Sequence, residues 1–144
     1  MKRLLFIALF SGAFVISPAC KKVEGPGGSS TIKGKLNIQV FDVGNNLINE
    51  YDGQEEDVYL IYGTTDTFYD DDVKTSYDGS FEFNFLQNGT YTVFVYEDCN
   101  SCPSGKDIII HEIEISEKKS VKDLGTINVR KQWFGLVHLY WFAC

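Results

Sequence analysis

No run of this 144-residue chain reaches the roughly 20 apolar residues a membrane-spanning helix needs. The two most apolar stretches, residues 4–16 and 133–144, are both too short. Helical periodicity is missing too: apolar residues nowhere recur at the three-and-four spacing of a helix face. Two histidines and a single C-x-x-C fall short of the paired ligand sets of structural zinc, so neither metal nor cofactor is expected. No nucleophile–base–acid set and no glycine-rich phosphate loop appears, and the expectation is a protein that is not an enzyme. Cations are scarce as well. Beyond residue 19 the chain keeps 11 of its 13 cations and all 20 acids, a net charge of −9 that repels phosphate backbones and excludes nucleic acid as a partner.

What is present begins at the N-terminus. Met1-Lys2-Arg3 is a cationic start, residues 4–16 are apolar apart from Ser11 and Gly12, and Ser17-Pro18-Ala19 places small residues before Cys20. A charged start, a short apolar run and a small-residue cleavage site define a secretory signal. With a cysteine directly after that site, the segment resembles a bacterial lipoprotein signal of the Bacteroidota type, although Ser17 stands where Leu is usual. The resemblance implies removal of residues 1–19 and lipidation of Cys20 with palmitate-like chains. It also implies a membrane partner through that anchor and a place in the cell envelope, on the outer membrane. Each buried methylene contributes about 0.8 kcal/mol, so two or three acyl chains hold a small domain almost permanently.

Residues 20–31 then read as the lipidated cysteine and a flexible Gly/Pro/Ser tether. From Ile32 the pattern has period two: Ile32, Gly34, Leu36, Ile38 and Val40 alternate with Lys33, Lys35, Asn37 and Gln39, a half-buried strand. Further β-prone runs occupy residues 57–62, 73–77, 80–85, 90–97, 108–116 and 124–130, while 47–51 reads as a short strand or an extended loop. Asp78-Gly79 between two such runs is a type I′ hairpin signal, and Asn88-Gly89 marks the next turn. Phe81, Phe83 and Phe85 share one parity and are expected at the centre of the core. Seven short strands at turn spacing predict an all-β, antiparallel β-sandwich over residues 32–130.

Residues 77–95, YDGSFEFNFLQNGTYTVFV, resemble the signature of prealbumin-like modules, the group that includes carboxypeptidase regulatory-like and Cna-B-like domains. The resemblance covers roughly residues 32–130 and implies a seven-stranded Greek-key sandwich. Such folds serve as spacers, binding modules and accessory domains, so it implies little about function. Cna-B-type isopeptide crosslinking uses a Glu where this chain has Val95, and transthyretin-like hydrolases use a set of His and Arg residues that the mature chain lacks.

Cys99 and Cys102 are the candidate disulfide, stiffening a loop, because no helix follows to lower a thiol pKa. Ligation by Cys99, Cys102 and His111 is the remote thiol or metal alternative. Asp70-Asp71-Asp72 reads as a solvated acidic loop. Phe94 and Tyr96, on the outward parity beside the 99–107 loop, are the candidate binding surface for a protein or glycan partner. Residues 131–144 form an apolar tail with three open readings: an extra edge strand, a partner-binding tail, or the product of a shifted reading frame. The function these features point to is a lipid-anchored, non-enzymatic binding or structural module, or else an accessory subunit docked through the tail or a sheet edge.

Overall fold

The computed structural model describes residues 24–64 and 67–133; the signal, Cys20 and residues 134–144 lie outside them. Eight strands follow in order: β1 (Pro26–Phe41), β2 (Leu47–Asp52), β3 (Asp57–Tyr62), β4 (Asp71–Lys74), β5 (Ser80–Leu86), β6 (Gly89–Asp98), β7 (Lys106–Ile115) and β8 (Val121–Gln132). They build two sheets packed face to face, with no helix among the described residues. In the first sheet β5 and β2 share one edge of the long β1, pairing with its first and second halves, and β8 runs along the other edge. The second sheet has the order β4-β3-β6-β7 and is antiparallel throughout.

Several expectations need correction. Residues 47–52 form a strand of their own, giving eight strands where seven were expected, and β8 pairs with β1 in parallel, so the first sheet is mixed. The tether ends earlier than its composition suggests. Residues 26–31 already belong to β1, with Pro26 and Ser30 both registered against Leu86. Ser30 is buried because its hydroxyl donates to the Glu117 carbonyl at 3.1 Å and accepts from the Ser120 amide, anchoring a segment that offers no apolar side chain. Asp78-Gly79 is not a type I′ hairpin either. Only Gly79 has positive φ, at +80°, and β4 and β5 belong to different sheets, so the turn carries the chain across the sandwich. The Leu36 amide donates to the Gly79 carbonyl at 2.8 Å, tying β1 to the turn, and a Cβ on Gly79 would lie 2.4 Å from the Leu36 carbonyl.

The core lies between the sheets. Ile32, Leu36 and Ile38 of β1 face Val58 and Leu60 of β3 and Val93 and Val95 of β6, with Phe81, Phe83 and Leu86 closing one side. Each large apolar side chain buried there contributes about 1.5–3 kcal/mol. Phe85 does not join them. It takes φ +60°, swings its ring outward to 71% exposure and hands the inward place to Leu86. A bulky residue in the left-handed region costs about 1–2 kcal/mol. The break coincides with register shifts in the facing β1 between Pro26 and Ile32.

Tyr91, fully buried, fixes one end. Its hydroxyl donates to the Gln87 carbonyl at 2.9 Å and accepts the Gly25 amide at 3.1 Å, while the Gln87 amide donates to Gly25 at 2.9 Å. A tyrosine bonding back to the backbone just upstream is the tyrosine corner of β-sandwiches.

Candidate functional site: an aromatic sheet face and a disulfide loop

The alternation of β3 and β6 sends Tyr59, Phe94 and Tyr96 to the solvent side of the second sheet. Tyr59 and Phe94 are direct cross-strand partners, and their rings stack at 5.0 Å with planes 18° apart. Tyr69, from the connection before β4, lies 4.8 Å from Tyr59, and Ile110 of β7 is the register partner of Phe94 on its other side. A row therefore runs Tyr69, Tyr59, Phe94, Ile110 across the sheet. Tyr96 meets both Phe94 and Tyr59 edge-on at 5.7 and 5.5 Å and is paired with Ile108. Offset and edge-to-face contacts of this kind add about 0.5–1.5 kcal/mol beyond burial.

This arrangement corrects one expectation. Phe94 is only 9% exposed, because its neighbours on the outer face cover it, so it is the foundation of the surface rather than its contact point. Solvent reaches Tyr96, Tyr69, Ile108 and Ile110, each about half exposed. Tyr69, Ile108 and Ile110 were not singled out in the sequence, although the even parity of Ile108 and Ile110 with the paired β6 residues held the signal. Burial, then the negative charge of Asp57, raises the Tyr59 phenol above its ordinary range, so it stays a neutral hydrogen-bond donor. Among the described residues the far edge of β7 has no ladder partner.

The Cys99 and Cys102 sulfurs are bonded to each other, with Cα atoms 5.4 Å apart, and the Cys99 amide donates to the Gly105 carbonyl at 3.0 Å to close the loop. Asp107 brings a carboxylate within 4.8 Å of both sulfurs, but a bonded pair offers no thiolate to a metal. His111 lies far along β7 from this loop, opposite Val93, with its Nε2 buried and unpartnered among the described residues. Beside the loop Asp98 accepts Lys106 Nζ at 2.6 Å and the Gln132 amide at 2.7 Å, joining the two sheets. Burial by itself raises the Asp98 carboxyl, yet Lys106 and the Gln132 amide outweigh it and hold the group below the usual carboxylate range.

A shallow cleft of about 580 Å³ opens over Gly34, near Lys33, Lys35 and Lys74. Each of these lysines is ion-paired, to Asp123 at 3.5 Å, Asp52 at 2.8 Å and Asp57 at 2.7 Å, which leaves little net positive charge for an anion. No described helix is long and apolar enough to cross a membrane.

No family model matches the chain, and no curated protein matches it. Among solved structures it is similar to a proposed carbohydrate-binding protein from Pseudomonas aeruginosa, at TM-score 0.44 and 13% identity over 74% of this chain and 91% of that one. It is also similar to (S)-allantoin synthase, at TM-score 0.41 and 13% identity over 72% of this chain. There the match spans 42% of the enzyme's length. Neither likeness carries a ligand over to this chain.

Proposed function

We propose that this protein is a lipid-anchored docking module of the cell envelope that binds another protein through the outer face of its second sheet. The observation that carries the reading is the aromatic row that ends at β7, an edge strand among the described residues. Tyr59 and Phe94 stack on each other, with Tyr69 and Ile110 on their far sides. A sugar ring needs a free aromatic face; a partner's apolar side chains need only the ring edges and the half-exposed Ile108 and Ile110. Among the described residues the β7 edge beside those isoleucines has no partner, and an added partner strand would satisfy its backbone groups. The same edge favours the related reading of an accessory subunit in an envelope assembly. A non-catalytic role agrees with the bonded Cys99–Cys102 pair, which offers no thiolate.

The anchor at Cys20 rests on the sequence of residues 1–20. The Greek-key, prealbumin-like type rests on the 77–95 pattern, and the tyrosine corner at Tyr91 supports it, since that device belongs to Greek-key sandwiches.

Native electrophoresis of envelope extracts in mild detergent tests the docking. The wild-type chain is expected to migrate in a discrete assembly well above the mass of a single mature chain, and the double variant Ile108→Lys/Ile110→Lys to migrate alone while remaining folded. An unchanged assembly in the double variant, or saturable oligosaccharide binding that Tyr96→Ala abolishes, would contradict protein docking through this face.

A further inference from the structure

The tether is short. Gly25 is held by Tyr91 and Gln87, and only five peptide steps separate it from Cys20. Fully extended, five residues reach about 18 Å. A chain anchored at Cys20 therefore keeps the Gly25 end of the sandwich at the bilayer surface, and the composition of that end decides how it sits there.

Four connections meet at this end. Leu86 is registered with Pro26, and the Asn88 side chain donates to the Ser116 carbonyl at 2.5 Å. Gly89 is paired with Ile115, and the Gly63 amide donates to the Thr90 carbonyl at 2.8 Å. The side chains they present to solvent are unusual for a free surface. Phe68 is 83% exposed, Phe85 is 71% exposed in its left-handed conformation, and Lys118 and Lys119 are exposed with no ion-pair partner among the described residues. Strained, exposed positions of this sort cluster where a surface is used. Aromatic rings beside lysines are the composition of a membrane–water interface. Charge points the same way. In sequence, residues 21–25, 63–70, 87–89 and 116–120 hold four Lys against four Asp and Glu, so the segments feeding this end are neutral. The rest of the mature chain carries the whole −9 and is repelled by anionic headgroups.

We propose that this end is a second membrane contact: Phe68 and Phe85 enter the headgroup layer and Lys118 and Lys119 meet its phosphates, orienting the domain with the Cys99–Cys102 loop pointing away. The inference rests on the lipid-anchored reading and extends it from an address to an orientation.

The acylated, full-length protein is reconstituted into vesicles of phosphatidylethanolamine and phosphatidylglycerol carrying a nitroxide quencher near the headgroup. Phe68→Trp, Phe85→Trp and Tyr77→Trp variants are compared with the parent, which subtracts Trp133 and Trp141. Tyr77 is 89% exposed on the turn at the other end of β5 and serves as the reference. The tryptophans at 68 and 85 are expected to lose roughly half their emission, as side chains seated in the interface do, and the one at 77 to lose none. Phe68→Trp carries the test even if the strained site at 85 tolerates Trp poorly. Floating, acylated protein with positions 68 and 77 equally quenched, or neither quenched, overturns the seat and leaves the anchor standing. An unmodified Cys20 in the mass of the mature N-terminus removes both.

Discussion

The outer faces of the two sheets obey the same alternation and finish it in opposite ways. On the first sheet the outward residues of β1 are Lys33, Lys35, Asn37 and Gln39, and each finds a polar partner on a neighbouring strand. Asn37 donates to Glu50 at 2.5 Å and to Asn128 at 3.0 Å, Gln39 donates to Glu50, and Lys35 pairs with Asp52. Along β1 that face needs only water, although Phe85 of β5 and Ile48 of β2 also reach solvent from this sheet. On the second sheet the corresponding places hold Tyr59, Phe94, Tyr96, Ile108 and Ile110, with Glu112 and Glu114 only beyond them. Exposed polar side chains and exposed single apolar ones are both ordinary. A contiguous aromatic row that buries one of its own members is not, and such patches mark interaction surfaces.

The largest expected difference between the faces is energetic. Phe94→Ala should cost about 3 kcal/mol, close to a core truncation, whereas Asn37→Ala on the other face should stay within about 0.5 kcal/mol. Chemical denaturation of the two variants checks this, and equal costs would erase the distinction. Next come the bonds that sew the sheets together and serve both faces alike. Tyr91→Phe should cost about 1–3 kcal/mol by leaving the buried Gly25 amide and Gln87 carbonyl unpartnered, read as a lowered denaturation midpoint without loss of the aromatic-face interaction.

A smaller effect has the opposite sign. Phe85→Gly should stabilise by about 1 kcal/mol, since an exposed ring is given up and the left-handed backbone is relieved. Destabilisation there would mean that the ring packs where it now points to solvent. The smallest is a pH effect at Asp98. Its carboxyl is depressed on folding, so its contribution is complete above the unfolded value near 3.9 and is lost as pH falls through the lower folded value. The protection of the Gln132 amide against exchange, relative to a free amide at the same pH, should fall in that acid window, and Asp98→Asn should abolish the change.

Much of this sandwich was legible because period two is a strong signal. Ile32, Leu36, Ile38, Phe81, Phe83, Tyr91, Val93 and Val95 all lie inward, as their parity indicates. What escaped was set by partners distant in sequence. Ser30 is buried through hydroxyl bonds to residues 117 and 120, which no local pattern announces. Phe85 leaves its parity because of a left-handed backbone at a register shift, a feature a bulky residue does not advertise. The parallel pairing of β1 with β8 joins residues about ninety positions apart. Phe94 and Tyr96 were placed on the correct face, but the burial of Phe94 depends on Tyr59 from another strand and could not be read from β6 alone. The pairing of Cys99 with Cys102 is local, and the spacing sufficed to nominate it.

The central claim is that the second sheet's outer face docks a protein and the first sheet's does not. Photo-crosslinking in intact cells addresses it directly, with a benzophenone side chain placed at Ile110 in one strain and at Asn37 in another. The account predicts one discrete protein adduct from position 110, lost when Ile108→Lys is added, and none from position 37. The same adduct from both positions, or an adduct from position 37 alone, would contradict it.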